Sequence, residues 1–334
     1  MSNSQPSSIQ HVLNSSQFDR SYLDYICKLT DAIRRLDKSK EGLMYLRGLL
    51  AHKRAMLYFT QPSTRTFLSF ESALHILGMR TSHIRDAATS SERKGESIED
   101  SLRTFSSYVD VIIMRTPISG LCDRIAQYLD ETPRPVPIIN AGSGPDEHPT
   151  QSLLDIYTLN RGFKNLDGID GKTIMLVGDL KRGRTVRSLS QLLTNYKDVK
   201  LIFASPQEFR IADDLRSTLN AKNVEFVESE DFEGSLPEAD AIYMTRVQDE
   251  YDNQSGDSAK VDYEKFHLKY DHLKLLKEHT IVMHPFPRRQ ELDVAIDSDP
   301  RAKYWRQERN GMWTRVALLT KIFGVDKNII HPEL

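Results

Sequence analysis

Short apolar runs alternate along the chain with stretches in which apolar residues recur at helical spacing. The runs cover residues 55–59, 109–114, 136–139, 174–177, 201–204, 242–244 and 281–283. Several are continuous rather than alternating, the pattern of parallel strands covered on both faces. Helical patterns between them predict right-handed βαβ units and open, doubly wound sheets. Leu23, Ile26, Ile33 and Leu36 mark an amphipathic helix ahead of the first run. The expected fold is α/β, with two doubly wound parallel-sheet domains. A break is expected near residue 150, where "AGSGPDEHPTQ" gathers turn residues. That gives a first domain over 1–150 and a second over 151–310. The last helical pattern, 312–323, is compatible with either domain, and we assign it, with 311–334, to the first.

Composition narrows the class. Charged residues make up 28% and hydrophobic ones 39% of 334 residues, as in ordinary globular proteins. A net charge of −2 gives no global basic surface for nucleic acid. No apolar run approaches the ~20 residues of a membrane span. The opening "MSNSQPSSIQ" is polar and lacks the apolar segment of a signal peptide, so a cytoplasmic location is expected. Cys27 and Cys122 show no metal-ligand spacing, and no disulfide framework or metal site is expected.

Candidate chemistry sits where strands end. The first run leads into "QPSTRTFLSFESALHILG". Ser63 is placed to cap a helix whose buried face would be Phe67, Phe70, Leu74 and Leu77. Free N–H groups and the positive end of the dipole make such a start an anion site. The hydroxyls of Ser63, Thr64 and Thr66 add donors, and Arg65 adds a planar fork suited to phosphate. A capped helix beside a solvated arginine fits the same letters. Later strands end in Arg115, in His148 and Gln151, in Arg184 and Thr185, in Arg246 and Gln248, and in Pro285, Phe286 and Arg288. Ligands of open α/β sheets bind outside the carboxyl ends of strands. Arginines repeated there suggest a pocket for at least one phosphate and one or two carboxylates, although any one of them alone reads as a surface charge. No G-x-G-x-x-G, G-x-x-x-x-G-K-[ST] or G-x-S-x-G stands in the context that would favour a dinucleotide, P-loop or serine-hydrolase enzyme. "SSERKGES", residues 90–97, is a polar loop with no apolar anchor.

The segments "PSTRT", "KGES", "MRTP", "HPTQSLLD", "VGDLKRGRTVRSL", "YMTRVQ" and "HPFPR", in that order, resemble the transcarbamoylase family on its aspartate branch. The likeness runs from about residue 11 to the C-terminal helix. The ornithine branch is less similar, because it typically has a cysteine where Pro285 stands and lacks the "GRTVRSL" and "TRVQ" pair. The resemblance implies transfer of the carbamoyl group of carbamoyl phosphate to the amino group of L-aspartate. Ser63, Thr64, Arg65 and Thr66 would hold phosphate. Arg115 and His148 would bind the carbamoyl oxygen, and Gln151 with the Pro285 carbonyl its NH2. Arg184, Arg246 and Gln248 would clamp the two carboxylates, with Thr185 and Phe286 also in the acceptor site. Ser90 and Lys94 match residues donated by a neighbouring subunit in a homotrimer with shared active sites. Nucleophile and leaving group both belong to the substrates, so no cofactor is expected. His148 beside Arg115 would serve best as a neutral donor.

Two departures from the family pattern bear on this. Phe67 replaces a second arginine that is thought to be mainly structural in the family, and Phe286 replaces a leucine beside the acceptor. They keep two other readings open: a carbamoyltransferase with a different amino or amide acceptor, and a non-catalytic phosphate-binding relative.

Overall fold

A computed structural model describes residues 10–85, 95–144, 147–249, 252 and 261–330. In chain order the elements are α1 (Arg20–Leu36), α2 (Lys40–Leu49), β1 (Arg54–Phe59), α3 (Thr64–Ile76), β2 (Arg80–Ile84), α4 (Ile98–Ser106), β3 (Val111–Arg115), α5 (Leu121–Asp130), β4 (Ile138–Asn140), α6 (Pro149–Gly162), β5 (Thr173–Val177), α7 (Arg184–Leu193), β6 (Lys200–Ala204), α8 (Asp213–Ala221), β7 (Glu225–Ser229), α9 (Phe232–Ser235), β8 (Ala241–Met244), β9 (Ile281–Met283), α10 (Tyr304–Ile322) and α11 (Lys327–Ile330). The chain divides into two compact units, Met1–Leu153 with Gly311–Leu334, and Leu154–Asn310. The division falls inside α6 and α10.

The first unit holds a parallel sheet in the order β2-β1-β3-β4. Register sorts its side chains by parity. Met56 and Tyr58 on β1, with Ile112 and Met114 on β3, meet Leu121, Ile125 and Leu129 of α5 in one core cluster. The other parity, Leu57 and Ile113 among them, is also fully buried. Burial on both faces is why these strands read as continuous apolar runs. Helix α1 starts at Asp19, whose carboxylate accepts the Tyr22 N–H at 2.7 Å, and it ends in Arg34 and Arg35, a charge pattern that suits the helix dipole.

The second unit holds a five-stranded parallel sheet, β7-β6-β5-β8-β9. Met175, Val177, Ile202, Ala204, Ile242, Met244 and Val282 pack with Phe232, Phe266 and Tyr304 on one side of it.

Two strands lie outside the seven expected runs: β2 and β7. Both are edge strands with exposed and half-buried side chains in place of an apolar run, "RTSHI" and "EFVES". An edge strand needs only one apolar face, and charge there blunts unwanted pairing. Helix α10 also starts earlier than the pattern at 312–323, at Tyr304.

The two kinds of strand should respond differently to truncation. Ile113→Ala in the doubly covered β3 is expected to lower unfolding free energy by about 2–5 kcal/mol. Ser82→Ala on exposed β2 should change it by less than about 0.5 kcal/mol. Denaturant titration of both variants checks this, and equal effects would contradict the assigned burial.

Candidate functional site

In an open parallel sheet, successive crossovers build outward in one direction until the chain returns to build in the other. Ligands gather at the gap where the order reverses, outside the carboxyl ends of the strands. In the first unit β1 has β2 on one side and β3 on the other, so the gap lies between β1 and β3. The segment after β1 starts α3, and Arg115 is the last residue of β3. The sheet therefore brings together Ser63–Thr66 and Arg115, which are about fifty residues apart in sequence.

Backbone bonds fix that meeting. The Arg115 carbonyl accepts both the Thr60 N–H at 2.9 Å and the Gln61 N–H at 3.2 Å. Ser63 stands at the N-cap in extended conformation, yet its hydroxyl makes no capping hydrogen bond. The first turn of α3 contains no acidic residue. Its N–H groups therefore keep their affinity for an anion. Thr64 and Arg65 are exposed at this start, and Thr66 is buried. The expected inner face, Phe67, Phe70, Leu74 and Leu77, is buried.

Arg115 is 7% and His148 4% exposed. Arg115 Nη1 donates to the Ala141 carbonyl at 3.1 Å. Thr66 Oγ1 lies 3.5 Å from His148 Nε2, and Thr150 Oγ1 lies 3.5 Å from Nδ1. His148 precedes α6, and its carbonyl accepts the N–H of Gln151 at 2.9 Å. Gly142 is what permits this packing. Its φ is +97°, and a Cβ there would lie 2.7 Å from Arg115 Nη1 and 2.8 Å from His148 Cδ2. Cation, imidazole and hydroxyl thus crowd one bare stretch of backbone. The cluster can hold an anionic group and donate to a neighbouring oxygen.

Phe67 is part of the core. Its ring meets Phe59 edge-on at 5.4 Å and His83 at 5.3 Å, and the Arg85 guanidinium covers its face at 4.4 Å. Ser90 and Lys94 lie outside the described residues.

The second sheet repeats the arrangement. Strand β5 has β6 on one side and β8 on the other, so its gap lies between β5 and β8. The loop after β5 leads to Arg184 and Thr185 at the start of α7, whose first turn also lacks acidic residues. The loop after β8 holds Arg246 and Gln248, and β9 beside it ends before Pro285. Buried Asp179 ties the first two loops together. It accepts Arg182 Nε at 2.7 Å and the Gln248 N–H at 3.1 Å. Arg182 also pairs with Asp252 at 2.6 Å. Gly178, at φ +124°, lets the loops close, since a Cβ would sit 2.3 Å from the Thr245 carbonyl. Arg246 is partly buried, and its Nη1 donates to the Val247 carbonyl at 2.9 Å.

Beyond β9, Arg288 is paired with both oxygens of Asp297 and lies over the rings of Tyr304 and Trp305. The Phe286 ring packs against Trp305 at 4.9 Å, tilted by 35°, and meets Tyr304 edge-on at 5.8 Å. Sequence reading missed Gly142, Gly178, Asp179 and His284 as organisers. The available signals were a glycine, acidic residue or histidine within three residues of the end of an apolar run. Among the described residues no group of three or more His, Cys, Asp or Glu side chains is placed to hold a metal.

The two parts of the chain match two different family models. Residues 10–161 match the family model described as the aspartate/ornithine carbamoyltransferase carbamoyl-P binding domain. Residues 170–322 match that of the Asp/Orn binding domain. The chain is 40% identical over 314 residues to aspartate carbamoyltransferase 1, chloroplastic, of Pisum sativum, covering 93% of this chain and 78% of that one. It is also 40% identical over 314 residues to the aspartate carbamoyltransferase catalytic subunit of Thermococcus gammatolerans, covering 94% and 97%. Among solved structures, aspartate transcarbamoylase from Trypanosoma cruzi in complex with carbamoyl aspartate and phosphate superposes with a TM-score of 0.82. The identity is 32%, with coverage of 94% and 96%.

Gly142→Ala should push Arg115 and His148 apart and strain the backbone. Calorimetric affinity for inorganic phosphate is expected to fall about tenfold, with about 1–3 kcal/mol of lost stability. Unchanged phosphate affinity would contradict the close approach described.

Proposed function

The chain belongs to the aspartate/ornithine carbamoyltransferase family, and from that premise we propose how its own residues divide the work. It transfers the carbamoyl group of carbamoyl phosphate to the amino group of L-aspartate, giving N-carbamoyl-L-aspartate and phosphate. The observation that carries the residue assignments is that the reversal point of each sheet is furnished for anions, with hydroxyls and Arg65 in one and Arg184 and Arg246 in the other.

In the reaction the aspartate nitrogen attacks the carbamoyl carbon, and a C–N bond forms. The C–O bond to phosphate breaks, its electron pair leaves with phosphate, and the amine proton passes to the departing phosphate. Negative charge builds on the carbamoyl oxygen, where Arg115 and His148 donate, with the Thr66 hydroxyl beside His148. One such prearranged donor is worth about 2.7–4 kcal/mol, and alignment of the two reactants roughly 7–11 kcal/mol. Arg184, Arg246 and Gln248 bind the two carboxylates of the acceptor. Gln151 and the Pro285 carbonyl take the carbamoyl NH2.

The altered-acceptor reading drew on Phe286. Its ring is engaged by Trp305 and Tyr304, which favours an effect on affinity over a change of acceptor. The non-catalytic reading drew on Phe67, which is a core residue.

A colorimetric ureido assay with carbamoyl phosphate as donor tests the acceptor. Aspartate should be preferred over ornithine, putrescine and asparagine by on the order of a hundredfold, because each leaves a guanidinium without its carboxylate. A protein that ignores millimolar aspartate and carbamoylates another amine would overturn the assignment.

The finer proposal is a homotrimer with shared sites, supported by the match of Ser90 and Lys94 to residues donated between chains. Arg65→Ala and Lys94→Ala should each lose on the order of a hundredfold in turnover. Mixed oligomers of the two should regain part of it, since some sites then combine an intact Arg65 with an intact Lys94. An active monomer in sedimentation, or no recovery after verified subunit exchange, contradicts sharing.

A further inference from the structure

A run of buried polar groups in the second unit ends beneath the Pro285–Phe286 peptide. Tyr243 donates its hydroxyl to Asp155 Oδ2 at 2.8 Å, and Gln307 Nε2 donates to Asp155 Oδ1 at 2.7 Å. Gln307 Oε1 in turn accepts the His284 N–H at 2.8 Å. The imidazole of His284 continues the run. Its Nδ1 accepts the Phe286 N–H at 2.8 Å, and its Nε2 lies 2.8 Å from Glu291 Oε1. Glu291 Oε1 also accepts the Arg289 N–H at 2.9 Å. His284 is 1% and Glu291 3% exposed.

These partners fix the tautomer. A ring nitrogen that accepts from a backbone N–H has no proton, so the proton sits on Nε2 and is donated to Glu291. Burial pushes the Glu291 carboxyl up, but the bonds from His284 and the Arg289 N–H outweigh it and hold it below the usual range. The acceptor of the His284 proton is therefore a carboxylate.

The consequence for the site is geometric. In a trans peptide the carbonyl of one residue and the N–H of the next point in opposite directions. The Pro285–Phe286 peptide is trans, and its N–H is aimed inward at His284. Its carbonyl, that of Pro285, is aimed the other way. Phe286 has φ +53°, a conformation that a bulky L-residue rarely adopts without an anchor. Its ring, on Trp305 and Tyr304, supplies a second anchor.

We propose that His284 is a positioning residue for carbamoyl transfer. Bridging Glu291 and the Phe286 N–H, it sets the direction of the Pro285 carbonyl. The proposal rests on the reading above in which that carbonyl accepts from the carbamoyl NH2. Inorganic phosphate lacks that NH2, so it serves as the internal control.

The test compares His284→Asn with His284→Gln. Asparagine keeps an acceptor near the Nδ1 position, whereas glutamine reaches Glu291 and offers the Phe286 N–H nothing. Thermal stability, kcat, KM and calorimetric affinities for carbamoyl phosphate and for inorganic phosphate are measured for each. His284→Gln is expected to lose about tenfold to a hundredfold in kcat. Its affinity for carbamoyl phosphate should fall relative to phosphate, while His284→Asn stays within about threefold of wild type on both counts. If both variants lose stability but keep the affinity ratio and kcat, or if His284→Asn fails as badly as His284→Gln, the proposal is overturned. Glu291→Gln covers the case in which the His284 variants do not fold, because it keeps the shape and weakens only the charge on the acceptor. It is expected to lower kcat and carbamoyl phosphate affinity about threefold with phosphate affinity unchanged, and equal loss of both affinities, or of neither, overturns the assignment. Wild-type protein that fails to carbamoylate aspartate would instead overturn the functional reading, a result obtained before any variant is made.

Discussion

Parallel pairing with right-handed crossovers is the constraint from which the rest follows. Right-handed crossovers that all run in one direction put their helices on one face of an open sheet, so covering both faces requires the chain to return and build on the other side. That return opens one gap in each sheet, between β1 and β3 and between β5 and β8. The strand ends flanking these gaps deliver Ser63–Thr66 and Arg115 in one unit and Arg184 and Arg246 in the other. Helix starts without acidic residues complete the preference for anions. Each doubly wound half thus has one gap furnished for an anion, in keeping with the proposed use of the two gaps by two anionic substrates.

Buried polar contacts then give the gaps their fine geometry. Gly142 and Gly178 allow approaches that any side chain would block. Asp179 binds two loops through Arg182 and the Gln248 N–H. Asp155, Gln307, His284 and Glu291 support the Pro285–Phe286 peptide from below. Removing one member of such a run leaves its partner buried and unsatisfied, at about 1–3 kcal/mol for a neutral group and more for a charge. These contacts are accordingly both structural and directional, since they set where exposed donors and acceptors point.

Much of this was legible in the sequence because its causes are local. Central strands buried on both faces show as apolar runs, and a hydroxyl-rich helix start shows its own chemistry. The edge strands β2 and β7 escaped because one face each is polar. The N-cap position of Ser63 was readable, but not that its hydroxyl leaves the cap unbonded. Phe67 and Phe286 looked like threats to the sites, and only tertiary packing reveals that one lines a core and the other lies on Trp305. The bridge from His284 to Glu291 depends on a turn with Phe286 at positive φ, which no periodicity signals. For Ser90 and Lys94 the sequence speaks alone.

Amide hydrogen exchange with added ligands tests the two-gap account most directly. The first-turn amides of α3 and α7 have no intrahelical acceptors, so a bound anion should slow their exchange. The account predicts that inorganic phosphate protects residues 64–66 and that succinate, a dicarboxylate lacking the amine, protects residues 184–186 and 246–248. Protection of neither segment by saturating ligand, or of other strand ends in their place, would contradict it.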